Sequence, residues 1–220
     1  MSSRPGEPLL LLVGTLAACL FIVGLALDLP DLRLAVKTLP ALALAAWVWP
    51  RGEVCIAAGL FFGALGDLAL ALPGGFLAGM VAFAIGHGLY VWAFVRWQTT
   101  PALLLAAPVA AYLAVALSLM AHGLGDMTVP VSIYMGIIGA MIWRAAVVAD
   151  DHSTDGAARW SALIGALLFG FSDTLIGINR FAQPIDGAAY AIIVTYWAGQ
   201  YFIARAAIAR GAGLANTASR

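Results

Sequence analysis

Two aspartates interrupt apolar segments of this chain and are its first candidates for chemistry. Asp67 ends the run FFGALGD, and Asp173 ends the run LFGFSD. An ionised carboxylate inside the hydrocarbon of a bilayer costs about 2.5–3.5 kcal/mol on insertion scales, and the chain has only 11 acidic residues among 220. Carboxylates kept at such positions typically mark function, and two of them can serve as a general acid and a general base.

The composition predicts a membrane environment for both aspartates. The chain is 63% hydrophobic and 10% charged, with a mean hydropathy of +0.97, whereas soluble domains are about 45–50% apolar and about 25% charged. The apolar runs are too long for membrane β-strands and do not alternate. We therefore predict an all-α, polytopic helical bundle in contact with the lipid bilayer. A net charge of zero gives no indication of a nucleic-acid partner.

Turn sequences divide the chain into about eight predicted transmembrane helices, each near the length of about 20 residues that a span requires. The predicted spans are 9–27, 32–49, 54–72, 76–96, 101–121, 128–148, 160–178 and 187–208. No loop between them is long enough to form a second domain, so residues 1–220 are predicted to be a single integral-membrane domain.

The distribution of basic residues predicts that both termini are cytoplasmic. The side that carries the termini holds eight basic residues, namely Arg4, Arg51, Arg96, Arg144, Arg159, Arg205, Arg210 and Arg220. The other side holds only Arg33, Lys37 and Arg180. Cytoplasmic loops carry such an excess. Because arginine and alanine are abundant and lysine is scarce, we expect a bacterial inner (plasma) membrane protein whose outer half faces the periplasm.

The few outer cations are predicted to lie near the two aspartates. Asp67 and Asp173 are each about five residues from the outer end of a span, or about 7–8 Å deep. Lys37 belongs to the second span, and Asn179 and Arg180 close the seventh. These residues should therefore form one polar cluster in the outer half of the bundle.

His87 is the only histidine predicted to lie within a span. It is either a functional group or a hydrogen-bonded core residue. Asp67, His87 and Asp173 could supply three metal ligands, but no HxxxH or HExxH spacing supports a metal. We therefore predict neither a metal nor a cofactor.

Cys19 and Cys55 lie in apolar runs and are interpreted as packing residues.

Three further polar residues are candidates for lining a site. Tyr196 and Gln200 are one helical turn apart and share a face. Gln200 is too deep to be an interfacial anchor and requires a partner, and Tyr134 lies near the outer end of its span. Each of the three either lines the site or has a structural role.

The segments that carry these residues follow one another in a recognisable order. They are KTLP from residue 37, LGDLAL from 65, FAIGHGLY from 83, PVSIY from 130, GALLFGFSDTLIGINRF from 165 and YWAGQ from 196. In this order and spacing they resemble the YhhN family of membrane lysoplasmalogenases. Thr38 departs from the proline expected there, and Gly66 stands where a serine often precedes the aspartate.

The resemblance implies an enzyme that hydrolyses the vinyl-ether bond of lysoplasmalogens to a fatty aldehyde and a glycerophospho-ethanolamine or -choline. Asp67 and Asp173 would be the acid and base, assisted by His87, as two carboxylates are in glycosidases. The remaining roles follow the same resemblance. Lys37, Asn179 and Arg180 would bind the lysophospholipid, and Tyr134, Tyr196 and Gln200 would line its pocket.

A proton-coupled transporter of a small molecule or lipid is the main alternative. Intramembrane carboxylates and a weak repeat of a Phe-Gly pattern in the third and seventh spans suit it, although no span is broken at mid-membrane by paired glycine and proline. A receptor or lipid-binding scaffold is a third hypothesis. The sequence leaves open the preferred headgroup, which aspartate is the acid, and whether the protein is a homodimer.

Overall fold

The computed structural model describes residues 6–218, and their side chains up to residue 212. These residues form nine α-helices joined by short turns and 3₁₀ segments. The helices are α1 (Glu7–Ala26), α2 (Pro30–Val36), α3 (Leu39–Val48), α4 (Val54–Ala71), α5 (Phe76–Trp97), α6 (Ala106–Met120), α7 (Thr128–Asp150), α8 (Gly156–Phe181) and α9 (Ala188–Ala218). The predicted all-α class is confirmed.

Seven helical segments of the described chain are long and apolar enough to cross a membrane. They are Glu7–Ala26, Pro30–Arg51, Val54–Ala71, Phe76–Trp97, Leu103–Gly123, Gly125–Asp150 and Gly156–Phe181. Each coincides with one of the first seven predicted spans. The eighth predicted span falls in α9, which is not among the seven. Tyr196, Gln200 and Arg205 lower the hydropathy of this helix.

The second predicted span, 32–49, consists of two helices with an interruption in its outer half. Helix α2 ends at Val36 and α3 begins at Leu39, with Lys37 and Thr38 as a turn between them. Pro40 has no backbone N–H to donate to the carbonyl of Val36, and this lost bond explains the interruption. The turn places Lys37 beside the neighbouring helix α4, as its contact with Asp67 shows.

Ion pairs tie several chain segments together at the end that carries the termini. Arg51 Nη2 lies 2.5 Å from Glu7 Oε1 at the start of α1. Arg210 Nε on α9 lies 3.9 Å from Glu53 Oε1, just before α4. The arginine-rich end therefore carries the beginning of α1 and the later part of α9, and it is the end that the sequence predicts to be cytoplasmic. Arg4 and Arg220 lie outside the described residues.

Helices α8 and α9 approach one another unusually closely. A Cβ atom added at Gly165 would lie 2.8 Å from the carbonyl oxygen of Gly199, and one added at Gly199 would lie 3.0 Å from the carbonyl oxygen of Gly165. Small residues at such crossings let helix backbones meet in membranes. The contact holds α9 against the centre of the bundle, where its polar side chains face α4 and α8.

Candidate active site

Asp67 lies at the centre of one hydrogen-bonded cluster. It is 2% exposed, and its Oδ2 accepts a hydrogen bond of 2.7 Å from the phenol of Tyr196 on α9. Gln200 Nε2 donates in turn to the Tyr196 oxygen at 2.7 Å. On the other side, Lys37 Nζ lies 4.0 Å from Asp67 Oδ1. Asp67 is thus held between a neutral donor and a cation, which suits a carboxylate that keeps its charge inside a membrane.

Gly63 makes room for this cluster one turn before Asp67. A Cβ atom at position 63 would lie 2.6 Å from Gln200 Nε2 and 3.4 Å from the Tyr196 oxygen. A larger side chain at this position would displace the Gln200 amide. The small residue therefore lets this amide reach the Tyr196 oxygen.

Asp173 belongs to a second cluster on the facing helices. Its Oδ2 accepts a hydrogen bond of 2.6 Å from the phenol of Tyr134 on α7, and His87 Nε2 on α5 lies 3.9 Å from the same oxygen. No lysine or arginine within residues 6–212 comes within 4.0 Å of this carboxyl. The surroundings of Asp173 are therefore less polar than those of Asp67, although the two carboxyls still interact electrostatically.

His87 and two phenylalanines fill the space between the clusters. The His87 ring is 4.4 Å from Phe169 and 6.4 Å from Phe83, measured between centroids, and the same two phenylalanines lie 5.1 and 5.7 Å from Tyr196. The histidine is 1% exposed, and neither ring nitrogen has a hydrogen-bond partner in the part of the chain that is described. Buried polar atoms are nearly always paired. These nitrogens are therefore available to a water molecule or a substrate.

A small apolar cavity of about 40 Å³ reaches Asp173. Tyr134 and Asp173 are the polar side chains of its wall, and Met80, Met120 and Met135 are among the apolar ones. Methionine is a flexible side chain that adapts to irregular apolar shapes. The cavity can therefore widen around an apolar chain, and in the present conformation it has room for one or a few waters.

A larger cavity of about 480 Å³ lies next to it at the outer end of the bundle. Its polar wall consists of Arg33, Lys37, Asn179 and Arg180, and apolar side chains from α1, α4 and α9 complete it. We call this cavity the outer vestibule. Leu70, Phe76 and Ile176 line both cavities and form the partition between them. A cationic vestibule beside an apolar cavity matches an amphipathic, anionic ligand.

Arg180 and Asn179 are each held by a contact of their own. The Arg180 guanidinium lies 3.9 Å from the ring centroid of Phe76, in a cation–π contact. Asn179 Oδ1 accepts a hydrogen bond of 2.7 Å from the backbone N–H of Ile185 and so closes the loop after α8. Asn179 therefore has a structural role within the vestibule wall.

The structure separates the predicted site residues into two groups. Lys37, Tyr134, Asp173, Asn179 and Arg180 line the two cavities. The others, Asp67, His87, Tyr196 and Gln200, lie behind these walls in the buried network and line neither cavity. Phe83 and Phe169 were not predicted. Each stands one turn before a polar site residue, His87 and Asp173 respectively, and this spacing was the available signal.

Within the described residues, no group of three or more histidine, cysteine, aspartate and glutamate side chains is placed to hold a metal ion. Cys19 and Cys55 are both free thiols. The polar groups that meet at the site are therefore carboxyls, phenols, an imidazole, an amide and an ammonium group.

These features define a polytopic helical membrane protein with a buried pair of carboxylates next to a cationic vestibule. The model of the YhhN family matches residues 32–207, and the chain belongs to the YhhN family. The chain is 39% identical over 180 residues to the human protein named lysoplasmalogenase TMEM86B, covering 79% of this chain and 74% of the relative.

Other relatives carry the same name in animals and bacteria. A rat protein named lysoplasmalogenase TMEM86B is 33% identical, with 81% of this chain and 74% of the relative covered. A lysoplasmalogenase of Mycobacterium bovis is 27% identical, with 83% and 71% covered. No solved structure matches the chain.

Proposed function

We propose that this protein is a lysoplasmalogenase of the bacterial inner membrane, formed by residues 1–220 as a single domain with its vestibule open to the periplasm. The observation that carries the proposal is a pair of buried carboxyls, Asp67 and Asp173, that interact electrostatically next to a cavity with a cationic wall. The names of its relatives supply the substrate class. The substrate is a 1-alkenyl glycerophospholipid that lacks the second acyl chain.

The two cavities suit the two halves of such a lipid. The phosphate binds in the outer vestibule, where Lys37 and Arg180 provide positive charge. The vinyl ether then lies below the partition of Leu70, Phe76 and Ile176, close to Asp173. The hydrocarbon chain packs among the methionines of the smaller cavity after these flexible side chains move apart.

The surroundings of the two carboxyls divide their roles. Lys37 compensates a negative charge on Asp67, whereas no lysine or arginine of the described residues lies within 4.0 Å of Asp173, which contacts the phenol of Tyr134 and the ring of His87. We assign the transferable proton to Asp173 and the negative charge to Asp67. One acid and one carboxylate are the combination that an oxocarbenium-like transition state requires.

The reaction balances with water as the second reactant. Asp173 protonates the vinyl carbon that is not bonded to oxygen, and the double bond supplies the electron pair. The resulting oxocarbenium ion is stabilised by the charge of Asp67. Water adds to the cationic carbon and gives one proton back to Asp173. As the hemiacetal breaks its bond to the glycerol oxygen, its hydroxyl loses a proton, the glycerol oxygen takes one up, and a fatty aldehyde leaves.

His87 and the two tyrosines position these groups. The phenols of Tyr134 and Tyr196 each fix one carboxyl oxygen, so that the other oxygen faces the reacting atoms or Lys37. His87 Nε2 lies 3.9 Å from Asp173 Oδ2 and has no hydrogen-bond partner among the described residues, so it can bind the attacking water. Gln200 orients Tyr196 from behind.

The test is aldehyde release by purified protein in a nonionic detergent. The substrates are a lysoplasmalogen and its saturated alkyl-ether analogue, which has the same headgroup and chain but no double bond to protonate. We expect aldehyde from the vinyl ether and none from the alkyl ether. Because a detergent solution has no two sides, a transporter would release no aldehyde there, and that result from folded protein would refute the proposal.

A further inference from the structure

A third cavity, of about 410 Å³, opens at the opposite, cytoplasmic end of the bundle. It lies where the turn after α3, the start of α4, the end of α5 and the later part of α9 meet. Its wall includes Arg51, Arg96, Arg210, Glu53 and Trp97. None of these residues takes part in the proposed hydrolysis. The volume is within the range of about 300–1,000 Å³ that is usual for ligand pockets.

The charges of this wall do not cancel. Arg51 is neutralised by Glu7, which lies 2.5 Å away. Arg96 and Arg210 share a single carboxylate, that of Glu53, and both act on it electrostatically. Arg96 is exposed and has no ion pair within 4.0 Å among residues 6–212. One guanidinium charge therefore remains without a counter-ion in the wall.

Protonation of Glu53 would enlarge this excess of positive charge. The carboxyl is largely enclosed, with 17% of its side chain exposed. Burial raises the pKa of Glu53 above its ordinary value, although a hydrogen bond from Trp97 and the charges of Arg210 and Arg96 oppose the shift. The Coulombic attraction of this wall is therefore for anions.

Two of the three arginines of the wall, Arg210 and Arg51, are held in place from behind. Arg210 lies over the Trp97 ring at 5.3 Å from its centroid, and the Trp97 indole N–H donates a hydrogen bond of 3.3 Å to Glu53 Oε2. Arg51 Nη1 donates to the carbonyl of Trp47 at 2.6 Å. Guanidinium groups fixed in this way bind phosphate oxygens with matched pairs of N–H donors.

We propose that this cavity binds one phosphate group from the cytoplasmic side, with Arg96 and Arg210 as its direct ligands. The group belongs either to an anionic phospholipid of the inner leaflet or to a soluble phosphate monoester. Both share the same anionic oxygens. Basic pockets between helices at the cytoplasmic face of membranes bind lipid headgroups in this manner. Such a ligand would join α5 and α9 at the end opposite to the proposed active site.

Native mass spectrometry of the full chain in a nonionic detergent tests the proposal. The probes are phosphatidylglycerol, phosphatidylcholine and glycerol 3-phosphate, each titrated separately. We expect one phosphatidylglycerol per protein molecule, bound more tightly than phosphatidylcholine. Arg96→Gln should weaken this binding about tenfold, the usual consequence of losing one charged hydrogen bond. Arg96 is exposed, so the variant is expected to fold.

Arg159→Gln is the matched control. Arg159 is at the same end of the bundle but outside the cavity, where it contacts His152 and the carbonyl of Ala149. Binding of both phosphatidylglycerol and glycerol 3-phosphate, each dependent on Arg96, would support a site for any phosphate group. Binding of phosphatidylglycerol alone would support a lipid site. Equal binding of the two lipids, or equal losses in the Arg96 and Arg159 variants, would overturn the proposal.

Discussion

Tyr196 on α9 donates a hydrogen bond of 2.7 Å to Asp67 on α4, so two helices far apart in the chain meet at one carboxyl oxygen. Tyr134 on α7 makes the equivalent bond of 2.6 Å to Asp173 on α8. Each carboxyl has one oxygen fixed by a phenol and one oxygen left for other partners. For Asp67 that second oxygen faces Lys37.

The two carboxyls should account for most of the rate of vinyl-ether hydrolysis. Asp173→Asn and Asp67→Asn should each lower kcat for vinyl-ether hydrolysis by about 10²–10⁴-fold, because an amide can neither supply the proton nor hold the charge. Steady-state aldehyde release measures the effect. Asp186→Asn, an exposed change in the loop before α9, should retain full activity. Near-normal turnover in either site variant would rule out the acid–base pair.

The phenols should contribute less than the carboxyls. Tyr196→Phe and Tyr134→Phe each remove one hydrogen bond to a carboxyl while preserving the packing of the ring. Such a loss corresponds to about 1.5–3 kcal/mol, or about 10–100-fold in kcat. Since neither phenol transfers the proton, KM should change little. A fall in kcat as large as that of the aspartate variants would instead make a tyrosine the proton donor.

Part of this site could be predicted because its residues are rare in apolar helices. Asp67, Asp173 and His87 stand out in the sequence, and the spacing of Tyr196 and Gln200 places both on one helix face. Which phenol pairs with which carboxyl could not be predicted, since that depends on how α7 and α9 are rotated against their neighbours. Packing between helices determines this rotation.

Phe83 and Phe169 could not be predicted as site residues, because phenylalanine is common throughout apolar helices. Phe83 and Phe169 resemble the phenylalanines that face lipid, such as Phe171, and only the contacts with His87 distinguish them. The interruption at Lys37 could have been predicted, because Pro40 is visible in the sequence.

The ends of the helices were predicted well, because proline, glycine and charged residues mark them in the sequence.

A substitution in the outer vestibule should change KM more than kcat. Arg180→Gln is expected to raise KM for a lysoplasmalogen about tenfold with little change in kcat, because the phosphate charge is the same in the ground state and the transition state. The same variant should not change KM for a 1-alkenyl glycerol, which lacks the phosphate. An equal rise in KM for both substrates would show that Arg180 supports the fold of the wall rather than the phosphate.

Glu53 should make stability depend on pH. Burial raises its pKa in the folded protein above the ordinary value of 4.5, so the folded state binds its proton more tightly than the unfolded state. Its contribution is therefore fully present at low pH and is lost as the pH rises above about 4.5. Glu53→Gln removes this loss of stability at higher pH, and the amide oxygen can still accept the hydrogen bond from Trp97. The Tm of the variant minus that of the wild type should increase from about pH 4 towards pH 7. A constant difference would contradict the prediction.

The close approach of α8 and α9 can be tested with two glycines in matched helical settings. Gly165→Ala would place a Cβ atom 2.8 Å from the carbonyl oxygen of Gly199 and 2.8 Å from the backbone nitrogen of Ile203, which no side-chain rotation can relieve. We expect a loss of about 1–3 kcal/mol, the usual cost of overpacking. At Gly136 on α7, nothing lies within 4 Å of an added Cβ. Gly136→Ala should therefore be neutral or stabilising by up to about 1 kcal/mol, because alanine favours the helix. Unfolding in mixed micelles measures both variants. Equal stability of the two would mean that α8 and α9 are not in contact at this crossing, and Tyr196 would then lack the support that brings it to Asp67.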